Sequence, residues 1–119
     1  MSDKLLLVSS DKVLNAFLKK IIYNSLPGCE LTVYDRFTLT KQENAFGYKL
    51  IIVDEVIIGS SGFEIINHLR YVEKNISKII FLCDAESEIQ RSITLGANFG
   101  FLKPITTEKF IEVVKANVK

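Results

Sequence analysis

Sulfur and imidazole are scarce in this 119-residue sequence, which holds two cysteines, Cys29 and Cys83, and one histidine, His68. The thiols have no metal-ligand spacing and are too few for a disulfide framework. One imidazole cannot complete a zinc site with them. Such cysteine usage fits a reducing, cytoplasmic setting. An excess of one charge is also missing: 15 Lys and Arg face 14 Asp and Glu, a formal +1. With no long basic run, there is no electrostatic case for nucleic acid or for an anionic membrane. No apolar stretch approaches the ~20 residues that span a bilayer. The run Leu5–Val8 after Met1-Ser2-Asp3-Lys4 is too short for a secretory signal. Repeats, low-complexity tracts and linkers are absent, so a single domain over residues 1–119 is expected. A hydrophobic content of 48% against 24% charged residues supplies one core and excludes a disordered chain.

The apolar residues that are present alternate in pattern. Leu5-Leu6-Leu7-Val8, Leu50-Ile51-Ile52-Val53 and Ile79-Ile80-Phe81-Leu82-Cys83 are short continuous runs, as expected of strands buried on both faces. Leu31-Thr32-Val33-Tyr34 alternates like an edge strand, and Phe99–Leu102 forms the last strand. Between them lie helical spacings. Val13, Leu14, Phe17, Leu18, Ile21 and Ile22 form an apolar face, with Ser10 or Asp11 as cap and Leu26-Pro27-Gly28 as stop. Thr40 and Glu43 have capping-box spacing for a short helix. Val56–Ser60 reads as a loop, then Ser61 and Glu64 open a helix carrying Ile65, Ile66, Leu69 and Val72. Ile89 and Ile93 mark a helix closed by Gly96. Thr106 or Thr107 caps a final helix with Phe110, Val113, Val114 and Val118. Five βα units of this kind predict a doubly wound α/β fold with a parallel sheet.

Ligand sites in such a sheet lie at the carboxyl ends of the strands. The residues found there are Ser9, Ser10 and Asp11 after the first strand, Asp54 and Glu55 after the third, Cys83 and Asp84 after the fourth, and Lys103-Pro104 after the fifth. Asp54 and Lys103 end strands that converge on one rim. A carboxylate beside an ammonium is a site arrangement, against the plain alternative of a rim salt bridge worth ~0–1 kcal/mol. No Gly-rich phosphate loop follows the first strand, which argues against a nucleotide or flavin domain.

Two segments carry a family resemblance. Leu50-Ile51-Ile52-Val53-Asp54 with Gly62 eight residues on, and Leu95-Gly96-Ala97-Asn98 leading to Phe101-Leu102-Lys103-Pro104, resemble the receiver domain of bacterial two-component response regulators over essentially the whole chain. The resemblance implies a flavodoxin-like (βα)5 fold with strand order 2-1-3-4-5. It implies that Asp54 accepts a phosphoryl group from a sensor histidine kinase or phosphotransfer protein, with no enzymatic activity beyond that. Lys103 would contact the phosphoryl oxygens, and its bond to Pro104 would be cis. Cys83 and Asp84 would occupy the phosphoryl-binding switch region, and Mg²⁺ would orient the oxygens. A downstream protein target would read the last helix–strand–helix face, which is also where a homodimer is to be sought.

The chain departs from that family at several positions. Ser9 and Ser10 stand where an acidic pair holds Mg²⁺, leaving Asp54 and Asp11 as the carboxylates for a metal, and Asp11 is expected to cap its helix instead. Glu55 should point away from the site by strand alternation. Cys83 stands where Thr or Ser acts as the switch, and a thiol is a weak donor. Gly100 takes the aromatic switch position, Ile58 replaces a frequent Pro, and the loop before the helix after strand four is about two residues short. Weak or absent Mg²⁺ binding and slow or absent phosphorylation are therefore expected. Two readings stay open: a phosphorelay receiver with Asp54 as phosphoacceptor, and a pseudo-receiver that binds proteins without phosphotransfer. In favour of the first, the missing carboxylates also remove repulsion, so Lys103 and helix N-termini could hold an anion without metal.

Overall fold

The continuous apolar runs become the centre of the sheet. The computed structural model describes residues 3–36 and 45–118. Its strands are β1 (Asp3–Val8), β2 (Cys29–Tyr34), β3 (Leu50–Asp54), β4 (Lys78–Cys83) and β5 (Phe99–Leu102). They are all parallel in the order 2-1-3-4-5. The helices are α1 (Lys12–Ser25), α2 (Gly62–Asn67), α3 (Glu86–Leu95) and α4 (Thr107–Asn117). The helix expected around Thr40 and Glu43 lies outside the described residues. No helix among the described residues is long and apolar enough to cross a membrane.

Alternation along the strands feeds two cores. Leu5, Leu7, Leu50, Ile52, Ile80 and Leu82 pack with Leu14, Leu18 and Ile22 of α1 and Phe110, Ile111 and Val114 of α4. Leu6, Val8, Ile51, Val53, Ile79, Phe81 and Cys83 pack on the other face with Ile65, Ile66 and Leu69. Burial on both faces explains why β1, β3 and β4 lack polar alternation. β2 pairs on one side only and stays half-buried, as its alternating sequence predicts.

Capping fixes where the helices begin. Asp11, not Ser10, caps α1 by accepting from the Val13 and Leu14 N–H groups. Ser61 caps α2, but Glu64 accepts from the Ser60 hydroxyl rather than closing a capping box. Thr106 is the N-cap of α4 without a side-chain bond.

Two apolar assignments differ from expectation. Val13 is 81% and Phe17 40% exposed, so the buried stripe of α1 is narrower than its apolar stripe. Val72, expected in the core, is exposed. The cause is a π-helical turn, His68–Val72, which continues α2. The wider turn shifts the angular phase of its own last residues and of those after it. Glu73 turns inward instead, accepting from the Ala45 N–H and lying 3.2 Å from His68 Nε2.

Arg70, within that turn, ties it to the sheet. Its Nε donates to the Gly96 carbonyl, Nη1 to the Asn75 and Ser77 carbonyls, and Nη2 to Asn98 Oδ1. Asn98 Oδ1 also accepts from the Ile79 amide of β4. Arg70→Ala strands these acceptors, so it should cost about 3 kcal/mol in urea unfolding. Arg70→Lys should recover little, because one ammonium cannot span acceptors arranged for a planar fork.

Candidate functional site

Asp54, the last residue of β3, is wholly buried, and a buried carboxylate must find partners. It has two. Lys103 Nζ donates to Oδ1 at 2.8 Å, and the Ser9 hydroxyl donates to Oδ2 at 3.1 Å. Lys103 follows β5, where its N–H donates to the Cys83 carbonyl, and the Lys103–Pro104 bond is cis, as expected. Desolvation works against the ammonium. The hydrogen bond and charge of Asp54, with Glu55 and Asp84, outweigh it and hold Lys103 above the ordinary lysine value.

Glu55 joins this site, which corrects the expectation from alternation. Its Oε2 lies 3.4 Å from Lys103 Nζ. Strand geometry ends at Asp54. Beyond it the Glu55 N–H still bonds across to the Leu82 carbonyl, and the side chain turns back toward the rim. Burial raises the Glu55 pKa to about 7, with a hydrogen bond to Asp84 and the charge of Glu88 adding to the rise and Lys103 opposing it.

The two serines are fully engaged. Ser9 is buried, and its Oγ, besides donating to Asp54, accepts from the Asp11 N–H at 3.1 Å. Its carbonyl accepts from Asn15 Nδ2. The Ser10 hydroxyl donates to the Asp35 carbonyl and accepts from the Ile58 N–H at 2.7 Å. The Ser10 N–H donates to the Val56 carbonyl. Ser10 thus connects the loop after β1 with those after β2 and β3. Nothing in the residue pattern announces these bridges, since it marks the serines only as missing carboxylates.

The remaining candidates lie elsewhere on the rim. Asp11 Oδ1 is occupied in capping α1. Asp84 is exposed and lines a groove with Asp11, Lys103 and Pro104. Cys83 belongs to the core on the α2–α3 face, where its thiol reaches the Ala85 and Phe101 carbonyls. Burial pushes that thiol up, toward an unreactive form. A Cβ at Gly100 would sit 2.6 Å from Ile89 Cγ2, so Ile89 fills the space above a position where an aromatic is anticipated. A Cβ at Gly62 would meet the Asp54 carbonyl at 2.8 Å, so α2 starts against the end of β3.

This donor set does not fit Mg²⁺. The ion needs oxygen ligands in near-octahedral geometry, carboxylates among them. Here both Asp54 oxygens, both serine hydroxyls and Oδ1 of Asp11 have protein partners. Among the described residues no three His, Cys, Asp or Glu side chains are grouped to hold a metal.

The Glu55 shift sets a pH dependence. Its folded pKa of about 7 exceeds its ordinary value of 4.5, so the folded protein binds this proton more tightly than the unfolded chain. The resulting stability is complete below 4.5 and is lost as pH rises through about 7. Urea midpoints measured across that window should fall with pH for the wild type more steeply than for Glu55→Gln.

No protein-family model matches the chain, and no curated protein matches it. Solved structures do. A Francisella response regulator receiver domain superposes with a TM-score of 0.82 at 20% identity, covering 98% of this chain and 97% of that one. A chemotaxis response regulator of Vibrio cholerae gives 0.80 at 19%, covering 98% of each chain. A receiver domain protein of Methanospirillum hungatei gives 0.81 at 20%, covering 99% and 94%. With this strand order, and over nearly its whole length, the chain has the flavodoxin-like fold of response regulator receiver domains.

Proposed function

We propose that this domain is a receiver-fold signalling module that acts through protein contacts, with Asp54 closed to Mg²⁺-dependent phosphoryl transfer. The observation that carries the reading is the state of the Asp54 carboxylate. It has no exposed surface, and Lys103 and Ser9 each bind one of its oxygens. A phosphoacceptor must present an oxygen lone pair in line with the incoming phosphorus, while positive charge collects the equatorial oxygens. Each Asp54 oxygen already accepts one hydrogen from the protein, and the side chain has no exposed surface through which the second lone pair could be approached. An arriving phosphoryl group would also meet Glu55 and Asp84, with Lys103 as the cation already shared between Asp54 and Glu55. Output contacts on such a module belong to exposed faces. Ile93 and Leu102, each 41% exposed, lie on α3 and β5, on the face where a downstream protein or a second copy would dock.

The second reading makes Asp54 the phosphoacceptor of a sensor histidine kinase or phosphotransfer protein. It is favoured by Lys103 Nζ, which at 2.8 Å from Asp54 is positioned to hold a phosphoryl oxygen. It requires a path for the phosphorus to an oxygen of a carboxylate that has no exposed surface.

Incubation with acetyl phosphate or beryllofluoride, with and without Mg²⁺, separates the two. Intact mass and the amide NMR spectrum should stay unchanged. A Mg²⁺-dependent adduct that disappears in Asp54→Asn would establish the second reading and overturn the first. Mg²⁺ at millimolar concentration should also leave Tm unchanged, because a ligand that does not bind the folded state cannot stabilise it.

A further inference from the structure

A sheet edge is a row of backbone donors and acceptors that no strand has bonded. Proteins usually blunt it with Pro, Lys, a bulge or a very short strand. β5, at one edge of this sheet, has four residues. β2, at the other, has six, Cys29-Glu30-Leu31-Thr32-Val33-Tyr34, with neither Pro nor Lys and with Glu30 as its one charge. Among the described strands β2 pairs with β1 alone.

The phase of the ladder shows which groups point outward. The Asp3 N–H donates to the Gly28 carbonyl and the Ser9 N–H to the Tyr34 carbonyl. In a parallel pair the bonding residues recur at every second position, so Gly28, Glu30, Thr32 and Tyr34 serve β1. Leu31 and Val33 therefore aim their N–H and C=O groups away from the sheet. The Cys29 N–H is already committed to the Leu26 carbonyl.

We propose that the β2 edges of two copies of this chain join antiparallel about a two-fold axis at Thr32, continuing the sheet across a homodimer. Phase and chemistry select the register. Residues that bond outward must meet residues that bond outward, so the axis passes through a residue and not between two. Centred on Leu31, the join would set Val33 opposite Cys29, whose N–H is taken, and leave the Val33 carbonyl without a donor. Centred on Val33, it would set Leu31 opposite Asp35, past the end of the strand. Centred on Thr32, Leu31 of each copy exchanges both backbone bonds with Val33 of the other, and Thr32 faces Thr32 as a close non-hydrogen-bonded pair.

Charge agrees with that register. Glu30 lies opposite Tyr34 and Asp35 opposite Cys29, so no like charges meet directly. Each Glu30 lies toward the end that carries Arg36 of the other copy, and both residues are exposed. An extended segment of a foreign protein could use the same backbone groups. The self-complementary register is what favours a second copy. Helix α1 supplies apolar surface beside the join. An open groove of about 750 Å³ between α1 and β2 is lined in part by Ala16, Tyr23 and Leu31, and Tyr23 is 79% exposed. The inference does not depend on the state of Asp54, whose hydrogen bonds come from Ser9 and Lys103 and not from β2.

Sedimentation velocity of the full chain at rising concentration should show a monomer–dimer equilibrium, a weak one because a single strand pair buries less than a standard interface. Thr32→Lys and Thr32→Glu each set like charges face to face and should weaken self-association about tenfold. An equimolar mixture of the two should sediment as a dimer again, which a folding defect in either variant could not produce. Thr32→Cys in a Cys29→Ser background should form a covalent dimer on mild oxidation, because residues paired in this way lie within disulfide range. Glu30→Cys in the same background should not. A monomer at every concentration, or charged variants that dimerise as well as the wild type, as they would through the α3–β5 face, would overturn the proposal. So would a mixture that stays monomeric, or cross-linking at position 30 in preference to 32.

Discussion

A carboxylate with no access to water must be neutralised by its neighbours, and the carboxyl rim of this sheet is organised around that requirement. Removing one member of a buried ion pair typically costs about 3–5 kcal/mol, because the other charge is left without water or partner. Asp54 is fully buried at the end of β3, and Lys103 must come from beyond β5 to reach it. The Lys103 N–H is held by the Cys83 carbonyl, so the end of β4 sets the approach. Ser9 comes from beyond β1 to the other oxygen. The two oxygens of one side chain thereby tie the ends of β1 and β5 to that of β3, and the Lys103 N–H adds the end of β4. Ser10 extends the arrangement to the loops after β2 and β3. The hydroxyls suit this because each can donate and accept at once. A carboxylate at either position could only accept, and at residue 9 it would face Asp54 with like charge.

Much of this is legible in the sequence, for reasons that also mark where reading stops. Continuous apolar runs identify strands buried on both faces, so β1, β3 and β4 and the polar residues ending them are visible from the residues alone. Asp54 and Lys103 come from topology, because parallel strands bring their carboxyl ends to one edge. Glu55 escapes because alternation holds only while a residue remains in the strand. Val72 escapes because a 3.6-residue period does not foresee a π turn. Val13 and Phe17 show a different limit. Periodicity reveals that a helix face is apolar, while the width of the surface that covers it depends on neighbours far away in the chain. The serine bridges join residues 45 and 48 positions apart, and no local pattern encodes such a bond.

Filled space recurs on both sides of the sheet beside β5. Ile89 packs onto the backbone at Gly100, and Cys83 turns its thiol into the core. Phe101 packs edge-on against Phe110. Movement coupled to a site requires an element with two arrangements of similar energy. At Gly100 the Ile89 side chain lies where a Cβ would go, and at Cys83 there is no strong donor to follow a change at Asp54. The contacts that would carry such a movement are occupied by ordinary packing.

The substitution of hydroxyls for carboxylates after β1 bears on time as well as on structure. A covalent mark on a carboxylate stores a signal for as long as the acyl phosphate survives, whatever happens to its source. In the proposed reading a rim whose oxygens are satisfied from within the chain has no such store. In the proposed reading the domain's occupancy tracks partner concentration and dissociation rate alone, so its message ends when the complex falls apart. Such a component reports the present abundance of its partner and keeps no memory of the stimulus.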